Sequence, residues 1–382
     1  MEIRPLFRKI RLRHVTGYLF VGGLLAVFLL VNAFGGYKAS TNILLEKIAV
    51  SMILALSLSV VVGFLGELSL GHAGFMCVGA YLGGKIAVLV QPTLGKGVLP
   101  FLLSLVVGGV AAALCGFIIG LPALRLRGDY LAIVTLAFGE IVRVLFQQSP
   151  TFGGNLGLDT PNFDRRTFWI VALVLVLLTL FLTQNLIRSR HGRAITAIRD
   201  NEIAARACGI PVTRYKLVAF IFSAFFAGIA GVMFSYSNST VLAPKFGYSY
   251  SIEILVMVVL GGMGNLTGTL LSATLITYLN VRLTTVLTGE MAVLKDLLYA
   301  LVLVLIVIYH NAPALSAFRQ KFGLRALCAR LLPKKPDPAA VADDDARWEN
   351  VPTKIRIDEL LSVDVLPKES VADPDKGGRE NE

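Results

Sequence analysis

Charge is scarce in this chain: Asp, Glu, Lys and Arg make up 16% of its residues against 55% hydrophobic ones, with a mean hydropathy of +0.71. A soluble fold of 382 residues cannot cover its surface with so little charge. Cysteine is scarce too. Cys77, Cys115, Cys208 and Cys328 stand far apart, without a Cys-x-x-Cys or a histidine at ligand spacing, which excludes a disulfide framework and a zinc site and leaves unpaired small apolar or surface residues. Histidine occurs four times, at His14, His72, His191 and His310, in four unrelated contexts. No Ser/His/Asp set is legible among them, and only His72 has suggestive neighbours.

Long apolar runs are what the chain has in abundance. An α-helix needs about 20 mostly apolar residues to cross a hydrocarbon core about 30 Å thick. Such runs fall at 17–34, 43–64, 73–90, 99–120, 130–146, 167–187, 217–236, 252–263, 269–288 and 296–310. The expectation is an all-α polytopic membrane protein with about ten transmembrane helices, an internal repeat and broken helices. The first run follows MEIRPLFRKIRLRH and is too long for a secretory signal core, so an uncleaved first helix is expected. The eighth is short and closed by GGMGNLTG (261–268), as in a broken or re-entrant helix.

Charge is unevenly placed. Residues 336–382 hold thirteen Asp and Glu against six Lys and Arg, so within a formal net charge of +11 this tail carries −7 and residues 1–335 carry +18. The positive charge sits in short loops between apolar runs, the pattern of membrane orientation and not of nucleic-acid binding. Alternate loops collect Arg4, Arg8, Lys9, Arg11 and Arg13, then Arg125 and Arg127, then seven basic residues between Arg188 and Lys216. The other side has only Lys38, Lys96, Arg165, Arg166, Lys245 and Lys295. The basic side is expected to be cytoplasmic and to hold both termini. The chain then divides into a basic N-terminus (1–16), a membrane domain (17–310) with a cytoplasmic loop (188–216), a basic amphipathic segment (311–335) and an acidic, disordered tail (336–382). Within the tail, KIRIDELLSVDVL (354–366) reads as a solvated stretch or as a docking segment.

Two motifs are decoys. Gly79, Gly84 and Lys85 begin a phosphate-loop spacing, but Ile86 stands where Ser or Thr is required and the stretch lies within an apolar span. These glycines suit close helix packing in lipid instead. Asp343, Asp344 and Asp345 lie in the tail and not at a membrane face, so the metal-diphosphate chemistry of a membrane transferase has no site.

The candidate pathway is the glycine-rich GELSLGHAGF (66–75). VVGFLGELS (61–69) aligns with VLGGMGNLT (259–267), pairing Gly63 with Gly261, Gly66 with Gly264, Glu67 with Asn265 and Ser69 with Thr267. Paired glycine interruptions in two halves of a transporter point to a substrate route. On that reading Gly66, Glu67, Ser69, His72, Gly264, Asn265 and Thr267 line it; the alternative is two tight turns whose small residues serve packing. Glu140 and Arg143 lie three apart on one helical face and suit a structural ion pair or a transport role. Glu253 and Lys85 are near enough to interfaces to snorkel.

The loop RSRHGRAITAIRDNEIAARACGIPVTRYK (188–216) alternates apolar and charged residues at helical spacing, and Gly209 and Pro211 end the helix or helices. It reads as a partner-binding helix or as one lying on anionic lipid. Here the residues resemble a known family. Glu202, Ala204, Ala205 and Gly209, followed by Ile210 and Pro211, look like the coupling helix of bacterial ABC-importer permeases. GELSLGHAGFMCVGAYLGG, LRLRGDYLAIVTLAFGEIVR, FGGNLGL (152–158) and VMVVLGGMGNLTGTLLSA resemble the branched-chain amino-acid permeases, over about residues 40 to 310.

That resemblance implies a bacterial inner-membrane subunit paired with a second homologous permease, two cytoplasmic ATPases and an extracytoplasmic binding protein. It implies that ATP and Mg are held by the ATPases, with no cofactor on this chain, and that Arg199 to Gly209 act as the coupling lever. Urea and short-chain amide permeases share much of the pattern, and an ion-coupled carrier is the rival from another class. The acidic tail is longer than the family core needs.

Overall fold

The computed structural model describes residues 17, 18, 20–23, 39–94, 98–124, 126, 128–160, 168–286, 301 and 304. The basic N-terminus, most of the first and tenth spans, the 311–335 segment, the tail and Cys328 lie outside the described residues.

Each of the eight runs between residues 43 and 288 forms a helix, because backbone N–H and C=O groups in lipid must be satisfied within the segment. The helices are α1 (Ala39–Ser59), α2 (His72–Leu94), α3 (Val98–Ala123), α4 (Asp129–Gln148) and α5 (Phe168–Arg188). After two short helices, α6 (Arg190–Asp200) and α7 (Glu202–Ala207), come α8 (Val212–Ser237), α9 (Tyr248–Gly261) and α10 (Leu266–Val286). Five described helical segments are long and apolar enough to cross a membrane: Thr41–Leu65, His72–Thr93, Val98–Ala123, Phe168–Arg188 and Val212–Ser237. α9 is apolar but shorter. α4, with Glu140 and Arg143, and α10, rich in Thr, have the length but are not among these five.

α1 runs through the centre, its most apolar stretch wholly buried, with α5, α8, α9 and α10 around it. α2, α3 and α8 form the tightest group. Lipid is as apolar as a leucine side chain, so close backbone approach must hold such helices together. Small residues provide it: a Cβ on Gly228 would stand 2.6 Å from that of Ala112, and one on Gly79 would stand 2.5 Å from the Gly228 Cα. The other face of α3 exposes Leu99, Leu102, Val106, Val110, Leu114 and Ile118, a stripe suited to lipid. Lys85, from the rejected phosphate motif, donates to the Thr151 carbonyl at 3.0 Å.

The loops at the two ends differ in kind. α6 and α7 gather at one end, called here the basic end. Elsewhere Leu158–Asp159 pairs antiparallel with Thr240–Val241, and the Thr160 hydroxyl lies 2.7 Å from the carbonyls of Ser235 and Asn238. This ties the α4–α5 connection to the end of α8.

Candidate functional site

The first glycine motif breaks a helix inside the bundle. α1 continues as a π-helical turn, Val60–Leu65, and ends at Gly66, whose φ of 80° favours a residue without Cβ. The chain then runs without regular structure to His72, where α2 begins. His72 Nε2 is 2.8 Å from Ser57 Oγ, nine residues before Gly66 and so about 13 Å back along the helix. Residues 66–71 therefore re-enter the bundle as open backbone. Protein groups satisfy part of it: Leu70 N donates to Thr135 Oγ1 at 3.0 Å, and at the start of α2 Ala73 N donates to Ser251 Oγ at 3.1 Å. Ser69 is buried, and its hydroxyl has no partner among the described residues.

The second motif ends α9 at Gly261, with Gly262 as its cap at a φ of 87°. Gly264 has the same φ of 80° as its aligned partner Gly66, and Thr267 Oγ1 donates to Asn265 Oδ1 at 2.9 Å before α10 proceeds. Gly264, Asn265 and Thr267 line a pocket of about 160 Å³ with Phe64, Gln184 and Arg188. The two motifs touch. A Cβ on Gly63 would stand 2.8 Å from Gly264 N.

One side chain spans both turns. Arg199, near the end of α6, donates from Nη1 to the Gly63 carbonyl at 3.1 Å. Its Cγ lies 2.7 Å from where a Gly66 Cβ would stand, and its Nη1 lies 3.4 Å from the corresponding position on Gly264. A second tie runs through Lys216 in α8, only 3% exposed, which pairs with Glu67 of the first turn and, at 3.2 Å, with Glu202 of α7. Glu67 thus sits in an ion pair against the α6–α7 segment. A buried ammonium needs such partners.

Local sequence builds the segment itself. Asn201 separates the two helices and caps the second, its Oδ1 accepting from Ile203 N and Ala204 N at 3.0 Å each. Ala205 turns inward, whereas Ile203, Ala204, Ala207 and Gly209 are exposed. Gly209 has a φ of 80° with nothing near its missing Cβ, and Pro211 immediately precedes α8.

Elsewhere, Arg143 donates from Nε to Glu140 Oε2 at 2.7 Å, and Glu140 Oε1 accepts from Tyr248 N at 2.8 Å, tying α4 to the start of α9. Cys77, Cys115 and Cys208 are free. Among the described residues no three His, Cys, Asp or Glu side chains are grouped to hold a metal ion.

Residues 40–307 match the family model described as branched-chain amino acid transport system / permease component. The chain belongs to that permease family. This permease is 37% identical over 321 residues to the high-affinity branched-chain amino acid transport system permease protein LivM of Salmonella typhimurium, covering 72% of this chain and 73% of that one. To LivM of Escherichia coli it is 41% identical over 258 residues, 59% of each chain. The ribose import permease protein RbsC of Escherichia coli is 26% identical over 284 residues, 70% of this permease and 84% of that one, so the wider family is broad. The permease is accordingly a multi-pass membrane transport subunit.

Two features escaped the sequence. Lys216 counted only as one of the loop's basic residues, yet it joins three elements. Glu253 read as a snorkelling side chain, yet it lines a cavity of about 400 Å³ with polar residues of four helices. A signal existed in the spacing of Thr277, Asn280 and Thr284, a polar stripe within an apolar run.

Proposed function

We propose that this chain is the membrane-spanning permease of an ATP-driven importer for leucine, isoleucine and valine in the bacterial inner membrane. It works beside a second homologous permease, two cytoplasmic ATPases that hold ATP and Mg, and an extracytoplasmic binding protein. The observation that carries the reading is the contact of Arg199 with both glycine turns, from a helix pair whose far face is uncovered. Ile203, Ala204, Ala207 and Gly209 form that face, and the ATPase docks there.

Mechanically, Arg199 and the Lys216 ion pairs make the α6–α7 segment a lever on the two places where the spans are interrupted. Closure of the ATPases on ATP pushes the segment, and the Gly66 and Gly264 turns transmit the shift to α1, α2, α9 and α10. Broken helices suit this because their open backbone absorbs the change in direction. No bond is made or broken on this chain.

The test is uptake of labelled leucine into proteoliposomes containing all five kinds of subunit. Uptake should require internal ATP and be displaced by isoleucine and valine. ATP-independent uptake would overturn the importer reading, and preferential uptake of urea or ribose would replace the substrate.

A further inference from the structure

We infer that the pocket between the end of α5 and the start of α10 holds the phosphate of an anionic membrane phospholipid. The inference is independent of what the permease carries and of how it is driven.

The pocket measures about 160 Å³. Sites that enclose a whole small molecule begin at about 300 Å³, so this one suits a single group whose remainder lies outside. Its polar lining is made of donors. Arg188 ends the apolar span Phe168–Arg188, and among the described residues no carboxylate pairs with its guanidinium. Its electrostatic neighbour is Tyr18, which brings a hydroxyl and not a counter-charge. Nor is the guanidinium spent on the end of its own helix. The carbonyls of Asn185 and Leu186 accept from Ser189, and that of Arg188 accepts from Arg193 Nη1 at 3.3 Å.

Gln184, one turn earlier, lines the pocket while only 8% exposed, and its side-chain amide has no hydrogen-bond partner among the described residues. A buried amide left open toward a cavity is a place for a ligand oxygen. From the other side, the pocket meets the first turn of α10, whose leading N–H groups have no acceptor within the helix. Thr267 Oγ1 donates to Asn265 Oδ1, which leaves the nitrogen of that amide to donate outward. Among the described residues of the lining there is no Asp or Glu. A guanidinium, two amides and a helix N-terminus around one small space complement a phosphate.

The surroundings name its source. On α5, Val174, Leu178 and Phe181 are exposed and lead at helical spacing to Arg188. On α10, Leu271, Leu275 and Tyr278 are exposed and lead back in the same way to Thr267. Both apolar stripes end at the pocket, so a phosphate seated there has acyl-chain surface beside it, at the depth where headgroups lie. The position also bears on the lever. Arg188 directly precedes Ser189 and α6, and Arg199 Nη1 of α6 lies 3.4 Å from the Cβ position of Gly264 on the lining. A bound phosphate joins the root of α6 to the turn that its far end touches.

The test is native mass spectrometry of the full-length permease in detergent, titrated with dioleoyl phosphatidylglycerol, dioleoylglycerol or inorganic phosphate. Wild type should bind one phosphatidylglycerol about tenfold tighter than either of the others. Arg188→Gln and Gln184→Leu should each weaken that lipid about tenfold, whereas Arg190→Gln, the same loss of charge outside the lining, should leave it unchanged. Gln184→Leu separates a built site from an arginine that merely reaches the headgroups, because it removes no charge. If it does not fold, Gln184→Glu keeps the shape and should abolish binding of that lipid. Inorganic phosphate bound as tightly as the lipid assigns the pocket to a soluble anion and overturns the lipid reading. Dioleoylglycerol bound as tightly, wild-type affinity in the Gln184 variants, or an equal loss in Arg190→Gln overturns the site. The measurement involves neither ATPase nor transported substrate, so its failure leaves the importer reading untouched, and the reverse.

Discussion

Lys216 is the residue on which most converges. Its ammonium is buried, 3% exposed, between a carboxylate 12% exposed on the first glycine turn and another on α7. An isolated charge there would cost several kcal/mol, and the two carboxylates that offset it come from the first glycine turn and from α7. Removing the cation strands two partly buried carboxylates. Lys216→Met is expected to destabilise the protein by about 3 kcal/mol, read as a lower melting temperature in detergent. Lys216→Met combined with Glu67→Gln should recover part of that loss, since the neutral side chain no longer requires a partner. A wild-type melting temperature for the single variant would mean that these pairs hold nothing. Arg199 is the less buried partner in the same task, its guanidinium divided between Asp200 at 3.0 Å and the Gly63 carbonyl.

At the scale of elements, the α6–α7 segment is short, polar and fixed on one side only. Its inner face is tied by Ile195, Ile198 and Ala205, all buried, and by the ion pairs. Its exposed side sets Ile203, Ala204, Ala207 and Gly209 beside the charged Asp200 and Arg206. A negative charge introduced there should block docking without disturbing the membrane helices. Gly209→Asp also places a side chain at a φ of 80°, a strain that Asp tolerates better than most residues, so the charge dominates the effect. The variant is expected to insert normally and to fail to co-purify with the ATPase. Retention of the ATPase at wild-type levels would remove this face from the coupling reading.

At the scale of the molecule, cohesion comes from small residues in contact and not from apolar burial, because lipid offers the same apolar surroundings. Gly79, Gly108, Ala112 and Gly228 let α2, α3 and α8 approach backbone to backbone. Gly79→Leu should therefore disrupt the whole bundle although it leaves hydropathy and length intact. The expected result is loss of monodisperse protein in detergent, against a control such as Leu114→Ala on the exposed face of α3, which should behave as wild type. Identical elution of the two variants would refute the packing argument.

The apolar runs by themselves determined which segments are helices, since lipid leaves the backbone no other way to satisfy itself over about 20 residues. Glycine density likewise marked both interruptions, and the match of Gly66 to Gly264 in sequence reappears as the same backbone angle in each. Helix limits inside the α6–α7 segment were legible from Gly209 and Pro211, though the break at Asn201 was not singled out. Tertiary structure alone decided which side chains meet. Lys216 reaches Glu67 across 149 positions of sequence, and the cavity draws on four helices. Neither is visible in a hydropathy profile, because in lipid an apolar helix has no chemical preference for which face turns inward. The rotation of each helix is set by where glycine and alanine permit contact, and that choice is made between helices. It carried Lys216 inward from a basic loop and turned Glu253, Asn280 and Thr277 onto one wall.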